Sequence, residues 1–169
     1  MQIREITNNE YVTLGEMMVT IYSSLDGFPS PQQQPSYYEM LGNIGKLNEQ
    51  VNTQVLIAID HDKSLLGGIV YFSDMSAYGS GGKATLEKNA SGIRLLGVSA
   101  KARGKGVGKA LANQCLQLAR KFGNKKVILH TTDAMQIAWK MYQNLGFERA
   151  TELDFMQQEL QVFGFRLIL

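Results

Sequence analysis

The segment at residues 98–109, VSAKARGKGVGK, is the part of the sequence whose residue types and spacing could do chemistry. It joins an apolar run to an amphipathic one, so a strand should lead through a glycine-rich turn into a helix. The N–H groups and dipole of a helix start bind anions, and glycine lets backbone approach a phosphate closely. Basic side chains there cost about 0.3–1 kcal/mol each. Since Arg103, Lys105 and Lys109 occupy this position, we predict a phosphate or pyrophosphate ligand.

Two common nucleotide motifs do not fit this segment. Counting back from Gly108, a Walker loop needs glycine where the chain has Arg103, and Ser or Thr where it has Ala110. A Rossmann fingerprint starting at Gly104 needs a third glycine where the chain has Lys109. The spacing therefore excludes both motifs.

Basic residues are concentrated around this segment. No Asp or Glu occurs from Lys88 to Thr132, and that stretch holds ten of the 17 Lys and Arg residues. The rest of the chain has seven basic and fifteen acidic residues, a net charge of −8, whereas the whole chain carries +2. Such polarity favours a local anionic partner over general nucleic-acid binding, with a solvated basic helix face as the alternative.

Composition excludes other classes of protein. A chain of 169 residues, 44% hydrophobic and 19% charged, predicts one globular domain over 1–169 that needs no disulfide or metal. Cys115 is the only cysteine and lies on an apolar helix face, as a core residue would; His61 and His130 are too far apart to form a familiar metal-ligand pair. Neither a secretory signal nor an apolar run of about 20 residues is present, so we expect a cytoplasmic protein without a membrane partner.

The elements that must position the basic segment follow from hydrophobic periodicity. Helices are expected within residues 8–22, 37–47, 107–122 and 133–145. Strands are expected at residues 3–6, 55–59, 65–72, 93–98, 127–129, within 147–155, and at 163–169. Three of the helices have a capping signal at their start: Asn8 or Asn9 for the first, a capping box that begins at Ser36 for the second, and Asp133 for the last. The order βααββ followed by βαβαββ predicts an α/β (α+β) fold with one mixed sheet.

Two segments resemble the GNAT superfamily of N-acetyltransferases. Residues 103–108 fit the pattern Q/R-x-x-G-x-G/A, and a strand precedes them, as in that family. Residues 138–147, AWKMYQNLGF, are similar to its A-x-x-x-Y-x-x-x-G-F segment. The resemblance implies a mostly antiparallel central sheet flanked by helices, with acetyl-coenzyme A as the co-substrate and no metal.

The resemblance also implies where acetyl-coenzyme A binds. Backbone groups around Gly97 and Val98 should hold the pantetheine arm. The residues whose main-chain N–H groups should hold the pyrophosphate are Arg103, Gly104, Lys105, Gly106, Val107, Gly108 and Lys109. Met135 stands where many relatives have a cofactor-contacting asparagine, so that contact is not expected here. Phe28, Tyr37 and Tyr38 flank a loop that shapes the acceptor site in this family, although a packing role would suit them equally.

By the same resemblance Tyr142 is the general acid for the leaving thiolate, with a core aromatic as the alternative. A phenol with a pKa of about 10 is protonated at pH 7, which suits that role. No acid occurs on the strand at 93–98, where some relatives have a glutamate base. Glu87 or His130 could act as the base. Alternatively, Glu87 is a solvated acid, His130 is bonded to backbone, and a water chain carries the proton to a distant carboxylate.

The resemblance implies an acetyl-coenzyme A-dependent N-acetyltransferase that acts directly on a primary amine of a small molecule, peptide or protein. The alternative is a degenerate relative, a regulatory module that binds acyl-coenzyme A without turnover, and the missing strand carboxylate supports it. Nucleic acid is not expected as a partner, because the basic segment lacks interleaved aromatics. Homodimers are common in this family, and that is the only indication of a homodimer here. The sequence does not identify the acceptor.

Overall fold

One sheet of eight strands organises the protein. The computed structural model describes residues 1–169. The strands are β1 (Gln2–Glu5), β2 (Thr53–Ile59), β3 (Leu65–Phe72), β4 (Ala90–Val98), β5 (Lys126–Thr131), β6 (Glu148–Arg149), β7 (Phe155–Gln157) and β8 (Leu160–Ile168). Their order is β1-β2-β3-β4-β5-β8-β6, with β7 also on β8. Only β4 and β5 pair in parallel, so the predicted mixed, mostly antiparallel sheet is confirmed.

Four α-helices cover the sheet. They are α1 (Tyr11–Ser23), α2 (Pro35–Gly42), α3 (Val107–Lys121) and α4 (Gln136–Asn144). Alternating residues of β2 belong to different buried clusters, Val55 and Ile57 to the one that includes α1 and α2, Leu56 and Ala58 to the one that includes α3. Since successive strand residues face opposite ways, the two clusters lie on opposite faces of the sheet. No helix combines the length and apolar character that crossing a bilayer requires.

Helix α1 lies very close to the sheet and to α2 because glycines stand at the contacts. A Cβ on Gly97 of β4 would lie 2.4 Å from Met18 Sδ, and one on Gly15 would lie 2.0 Å from the carbonyl oxygen of Gly42. Neither distance leaves room for a side chain. These contacts hold α1 against the end of β4 and α2 against α1.

The ends and caps of several helices and strands differ from the sequence prediction. The second helix ends at Gly42, and Ile44–Glu49 forms a separate 3₁₀ helix. The predicted capping box at Ser36 is wrong, because the helix starts at Pro35 and Ser36 lies inside its first turn. Gln34 is the residue that precedes the helix, and proline is favoured in the first turn. Thr7, rather than Asn8 or Asn9, forms a capping box with Glu10. Asp133 lies inside a 3₁₀ turn, and the strand expected within 147–155 is divided between β6 and β7 by another.

A bulge in β4 creates the cleft of the molecule. The β3–β4 register shifts between Val70↔Arg94 and Gly68↔Gly97, so Leu95 and Leu96 share one place opposite β3. Leu95 has φ of 57°, a left-handed conformation unusual for a branched side chain. Pairing of β4 with β5 stops at Ile93↔Leu129. Beyond this point the two parallel strands part and leave a gap between them.

Candidate active site

The turn after β4 is shaped by glycines in the left-handed region. Ala100–Ala102 forms a 3₁₀ turn, then Gly104 has φ of 74° and Gly106, which caps α3, has φ of 77°. Only glycine adopts this region without steric cost. A Cβ at Gly104 or Gly106 would meet nothing within 4 Å, so both glycines border open space. The backbone of this turn is therefore accessible to a ligand.

The start of α3 presents several N–H groups that the protein leaves unpaired. The first bond of the helix runs from Ala110 N to Gly106 O at 3.0 Å, and Lys105 N donates weakly to Ala102 O at 3.4 Å. The N–H groups that donate to no other group of the protein are those of Arg103, Gly104, Gly106, Val107, Gly108 and Lys109. Such a set, at the positive end of a helix dipole, matches an anion with several acceptor oxygens.

Four basic side chains surround these amides. Lys101, Arg103, Lys105 and Lys109 are exposed, and none of them forms an ion pair with an acidic residue. Their charges oppose the helix dipole, so the arrangement is less favourable without an anion than with one. The predicted pyrophosphate residues are thus brought together in one open turn, and the residues present fit a diphosphate.

The cleft lies beside this turn. Ser99 N donates to Leu66 O at 2.8 Å, which identifies that residue pair as hydrogen-bonded within the β3–β4 ladder. Because bonding alternates along an antiparallel ladder, the backbone groups of Gly97 face β3 and those of Val98 face the gap towards β5. Of the two residues predicted to hold the pantetheine arm, Val98 can offer its backbone, while Gly97 provides room for α1.

Helix α4 reaches the same place from the other side. A Cβ at Gly108 would lie 3.5 Å from Met141 Sδ, 3.6 Å from Val98 Cγ2 and 3.7 Å from Leu96 Cδ2. The first turn of α3, the last residues of β4 and the middle of α4 therefore converge. Tyr142, the next residue of α4, belongs to the same buried cluster as Val107 in the first turn of α3.

Tyr142 is buried, with its ring 5.6 Å from that of Phe147 in an edge-to-face arrangement. Burial raises the pKa of the Tyr142 phenol well above its usual value of about 10, and the nearby Cys115 and Tyr78 add to the effect. The phenol therefore remains protonated at any ordinary pH. Its hydroxyl makes no hydrogen bond within the protein, which leaves that proton available for a ligand.

His130 lies at the cleft but both of its ring nitrogens are engaged. Nε2 is 2.9 Å from Leu153 O and must donate to it, so Nδ1 accepts from the Tyr78 hydroxyl at 2.9 Å. Burial lowers the pKa of His130, and the positive charge of Arg94 contributes. The imidazole is therefore neutral and held in one tautomer. This is the backbone-bonded arrangement that the sequence left open for His130.

Glu87 lies at the opposite end of the strands from the cleft. It forms ion pairs with Lys126, the first residue of β5, and with Arg166 at 3.1 Å. Ala90, not the bulge, is the β4 residue that pairs with Lys126. The structure thus keeps Glu87 apart from Tyr142, Val98 and the α3 turn.

A second part of the cleft, on the α1–α2 face of the sheet, encloses a cavity of about 80 Å³. Phe28 and Tyr37 line it, whereas Tyr38 is buried beside it with its hydroxyl bonded to Pro29 O at 2.7 Å. Arg94, Thr131 and Thr132 also line the cavity, and the sequence analysis assigned them no role. The sequence held one signal for Arg94: the β4 strand has no acid, and Arg94 is its only charged residue.

Comparison with known proteins finds a family match over a range that contains both of the segments discussed above. The sequence model of the acetyltransferase (GNAT) family matches residues 18–147. N-acetyltransferase 8F1 of Rattus norvegicus is 37% identical over 73 residues, which is 43% of this chain and 33% of the rat protein. The matches cover between 24% and 33% of the length of the curated relatives.

Solved structures share the fold over nearly the whole chain. A GNAT acetyltransferase from Staphylococcus aureus Mu50 has a TM-score of 0.75 at 19% identity, covering 99% of this chain and 98% of that chain. PaiA N-acetyltransferase from Thermoplasma acidophilum, solved in complex with coenzyme A, has a TM-score of 0.71 at 16% identity, covering 96% of each. At such identities the similarity shows a common architecture.

Proposed function

The chain belongs to the acetyltransferase (GNAT) family, and from this we propose that it transfers an acetyl group from acetyl-coenzyme A directly to a primary amine of a small molecule, peptide or protein. The single observation that carries the proposal is the start of α3. There, unpaired N–H groups and unpaired basic side chains border the same open turn. That arrangement suits a diphosphate ester better than any other common ligand.

Acetyl-coenzyme A would supply the activated acyl group as a thioester. The N–H groups of residues 103–109, apart from the engaged Lys105, would bind its diphosphate, and the backbone of Val98 would face its arm in the gap between β4 and β5. In the transfer, the amine nitrogen forms a bond to the acyl carbon, the carbon–sulfur bond breaks, and the proton lost by the amine is balanced by one gained at sulfur.

Tyr142 is the residue we assign to the sulfur side of this exchange. Its buried phenol is protonated, and its hydroxyl has no partner within the protein. Because its pKa is raised, the phenol acts on the developing thiolate as a hydrogen-bond donor and keeps its proton. Such a hydrogen bond is sufficient to stabilise the leaving group. Burial against Phe147 holds the ring in one orientation.

The amine has to lose a proton before it attacks, because an amine with a pKa of about 10.4 is almost wholly protonated at pH 7. His130 is held by two hydrogen bonds and Glu87 by two ion pairs, so we assign neither as the base. Of the routes that the sequence left open for the amine's proton, a water chain that leads to a distant carboxylate remains. The same two observations favour the second candidate function, a module that binds acyl-coenzyme A and does not turn it over.

Two measurements separate these functions. Calorimetry with acetyl-coenzyme A tests binding, and release of free thiol across a panel of amines tests turnover. Binding with amine-dependent thiol release supports the enzyme, and binding without release supports the module. Absence of binding contradicts both.

A substitution at Gly106 tests the anion site itself. Gly106→Glu places a carboxylate in the open turn, and like-charge repulsion of several kcal/mol should weaken acetyl-coenzyme A binding by at least about 100-fold. Gly106→Ala is the matched control, since it adds the left-handed strain of about 1–2 kcal/mol without a charge. Equal affinity of the Glu and Ala variants in calorimetry would contradict the assignment.

A further inference from the structure

Arg94 is the only formally charged residue that lines the cavity on the α1–α2 face. The rest of the lining is aromatic, aliphatic or uncharged polar, and it contains no Asp or Glu. The titratable neighbours do not supply a negative charge either: His130 is neutral, and burial raises the pKa of Tyr37 to about 12 and the pKa values of Tyr22 and Tyr78 further. The cavity therefore carries one uncompensated positive charge.

The position of Arg94 is fixed by contacts that leave part of its guanidinium free. One amino group, Nη1, donates to Tyr78 O at 2.8 Å, and the guanidinium carbon lies 5.5 Å from the centroid of the Tyr78 ring. Arg94 takes part in no ion pair. A guanidinium has five N–H donors arranged as a fork, which suits two parallel bonds to a carboxylate. Arg94 lines the cavity, and its other N–H donors form no hydrogen bond within the protein.

The single positive charge and the otherwise uncharged lining describe the ligand that fits. We infer that the acceptor amine carries a carboxylate, which Arg94 binds as a counter-ion. This inference rests on the proposed acetyl transfer and names the class of acceptor: small amino acids. The volume of about 80 Å³ is small beside the roughly 300–1,000 Å³ of pockets for drug-sized ligands, so the cavity suits a compact acceptor.

The test uses pairs of acceptors that share an amine and differ in charge. Glycine, β-alanine and γ-aminobutyrate are each compared with the corresponding amide, so that the spacing between amine and carboxylate is varied as well. We expect kcat/KM of the wild-type protein to favour one or more of the carboxylates by roughly tenfold, the value of a hydrogen bond to a charged group. Arg94→Gln should remove this preference, and Arg94→Lys should retain part of it.

A matched control separates recognition from stability. Arg120, exposed in the last turn of α3, supplies Arg120→Gln, which should keep the wild-type preference. A purely structural Arg94 would lower activity with acids and amides alike, so an unchanged ratio in Arg94→Gln overturns the inference. Equal kcat/KM for acids and amides in the wild type does so too.

Calorimetry without acetyl-coenzyme A gives a second readout, independent of turnover. At millimolar concentrations an amino acid should bind wild-type protein and not Arg94→Gln, while the amides should bind neither. If amines are acetylated but no carboxylate is preferred or bound, the inference is wrong and the proposed function stands. If a carboxylate binds through Arg94 and no amine is acetylated, the proposed function is wrong and the carboxylate site stands.

Discussion

At the scale of single residues, burial decides what each titratable group can do. Tyr142 and His130 both border the cleft, but burial raises the pKa of the phenol and lowers that of the imidazole. Each shift favours the neutral form, as expected for a group removed from water. Tyr142 thereby retains a proton to offer, whereas His130 stays uncharged and is committed to Tyr78 and Leu153.

Tyr142→Phe removes the hydroxyl and little else. Because that hydroxyl makes no hydrogen bond within the protein, the free energy of unfolding should change by less than about 1 kcal/mol. Turnover should fall by about 10²–10³-fold if the phenol donates a hydrogen bond to the leaving thiolate, with little change in acetyl-coenzyme A affinity. Steady-state thiol release, calorimetry and thermal unfolding measure the three quantities.

The control for this variant is Tyr71→Phe, at a fully buried tyrosine of the same apolar cluster. It should leave turnover at the wild-type level. Undiminished turnover in Tyr142→Phe would remove Tyr142 from the mechanism.

At the scale of elements, close packing between α1, α2 and β4 forms one side of the cleft. Tyr22 lies near the end of α1 and donates to Leu96 O at 3.1 Å, while Tyr37 lies in the first turn of α2. The rings of Tyr22 and Phe28 are 5.6 Å apart, and those of Phe28 and Tyr37 are 5.7 Å apart. The positions of the two helices therefore determine the shape of the cavity.

Gly15→Ala should separate these helices. Its methyl group would lie 2.0 Å from the carbonyl oxygen of Gly42, and backbone cannot yield as a flexible side chain does. We expect the free energy of unfolding to fall by about 1–3 kcal/mol, as in other overpacked sites, despite the better helix propensity of alanine.

Gly42→Ala is the matched control on the facing helix. A Cβ there would lie 3.8 Å from Val19 Cγ2, an ordinary contact, so stability should be unchanged or slightly increased. Denaturant unfolding compares the two variants. Equal stability of both would show that the approach of α1 to α2 is looser than described.

At the scale of the whole molecule, the fold divides the basic segment into functionally different parts. Arg120 and Lys121 lie in the last turn of α3, where cations are favoured by the helix dipole. Lys126 is paired with Glu87. The unpaired group at the opposite end of α3 is the one left to attract an anion, as the lopsided charge of the sequence suggested.

Binding of acetyl-coenzyme A should consequently depend on salt. Raising the ionic strength from about 0.1 M to about 1 M shortens the screening length from about 10 Å to about 3 Å, and affinity should fall several-fold. Lys109→Gln should weaken binding and flatten this dependence, whereas Lys121→Gln, at the other end of α3, should do neither. Calorimetry at a series of salt concentrations makes the comparison, and affinity that is independent of salt would contradict it.

The sequence by itself determined the features that depend on neighbours along the chain. The anion-binding turn is one contiguous stretch, because glycines at 104 and 106 and a following helix are all that its backbone geometry needs. Apolar periodicity was likewise sufficient for the order of the main helices and strands. Helix ends were less well predicted, since Ser36 and Asp133 are good capping residues that packing placed inside helical turns.

Only the tertiary structure decided which distant residues share the cavity on the α1–α2 face. Tyr22, Arg94, Thr131 and Phe155 come from four separate elements, and nothing local links them. Glu87 and His130 looked equally available as bases in the sequence, but strand pairing placed Glu87 between Lys126 and Arg166, and packing placed His130 between Tyr78 and Leu153. Backbone conformation is encoded by adjacent residues, whereas burial and partners depend on contacts that exist only after the chain has folded.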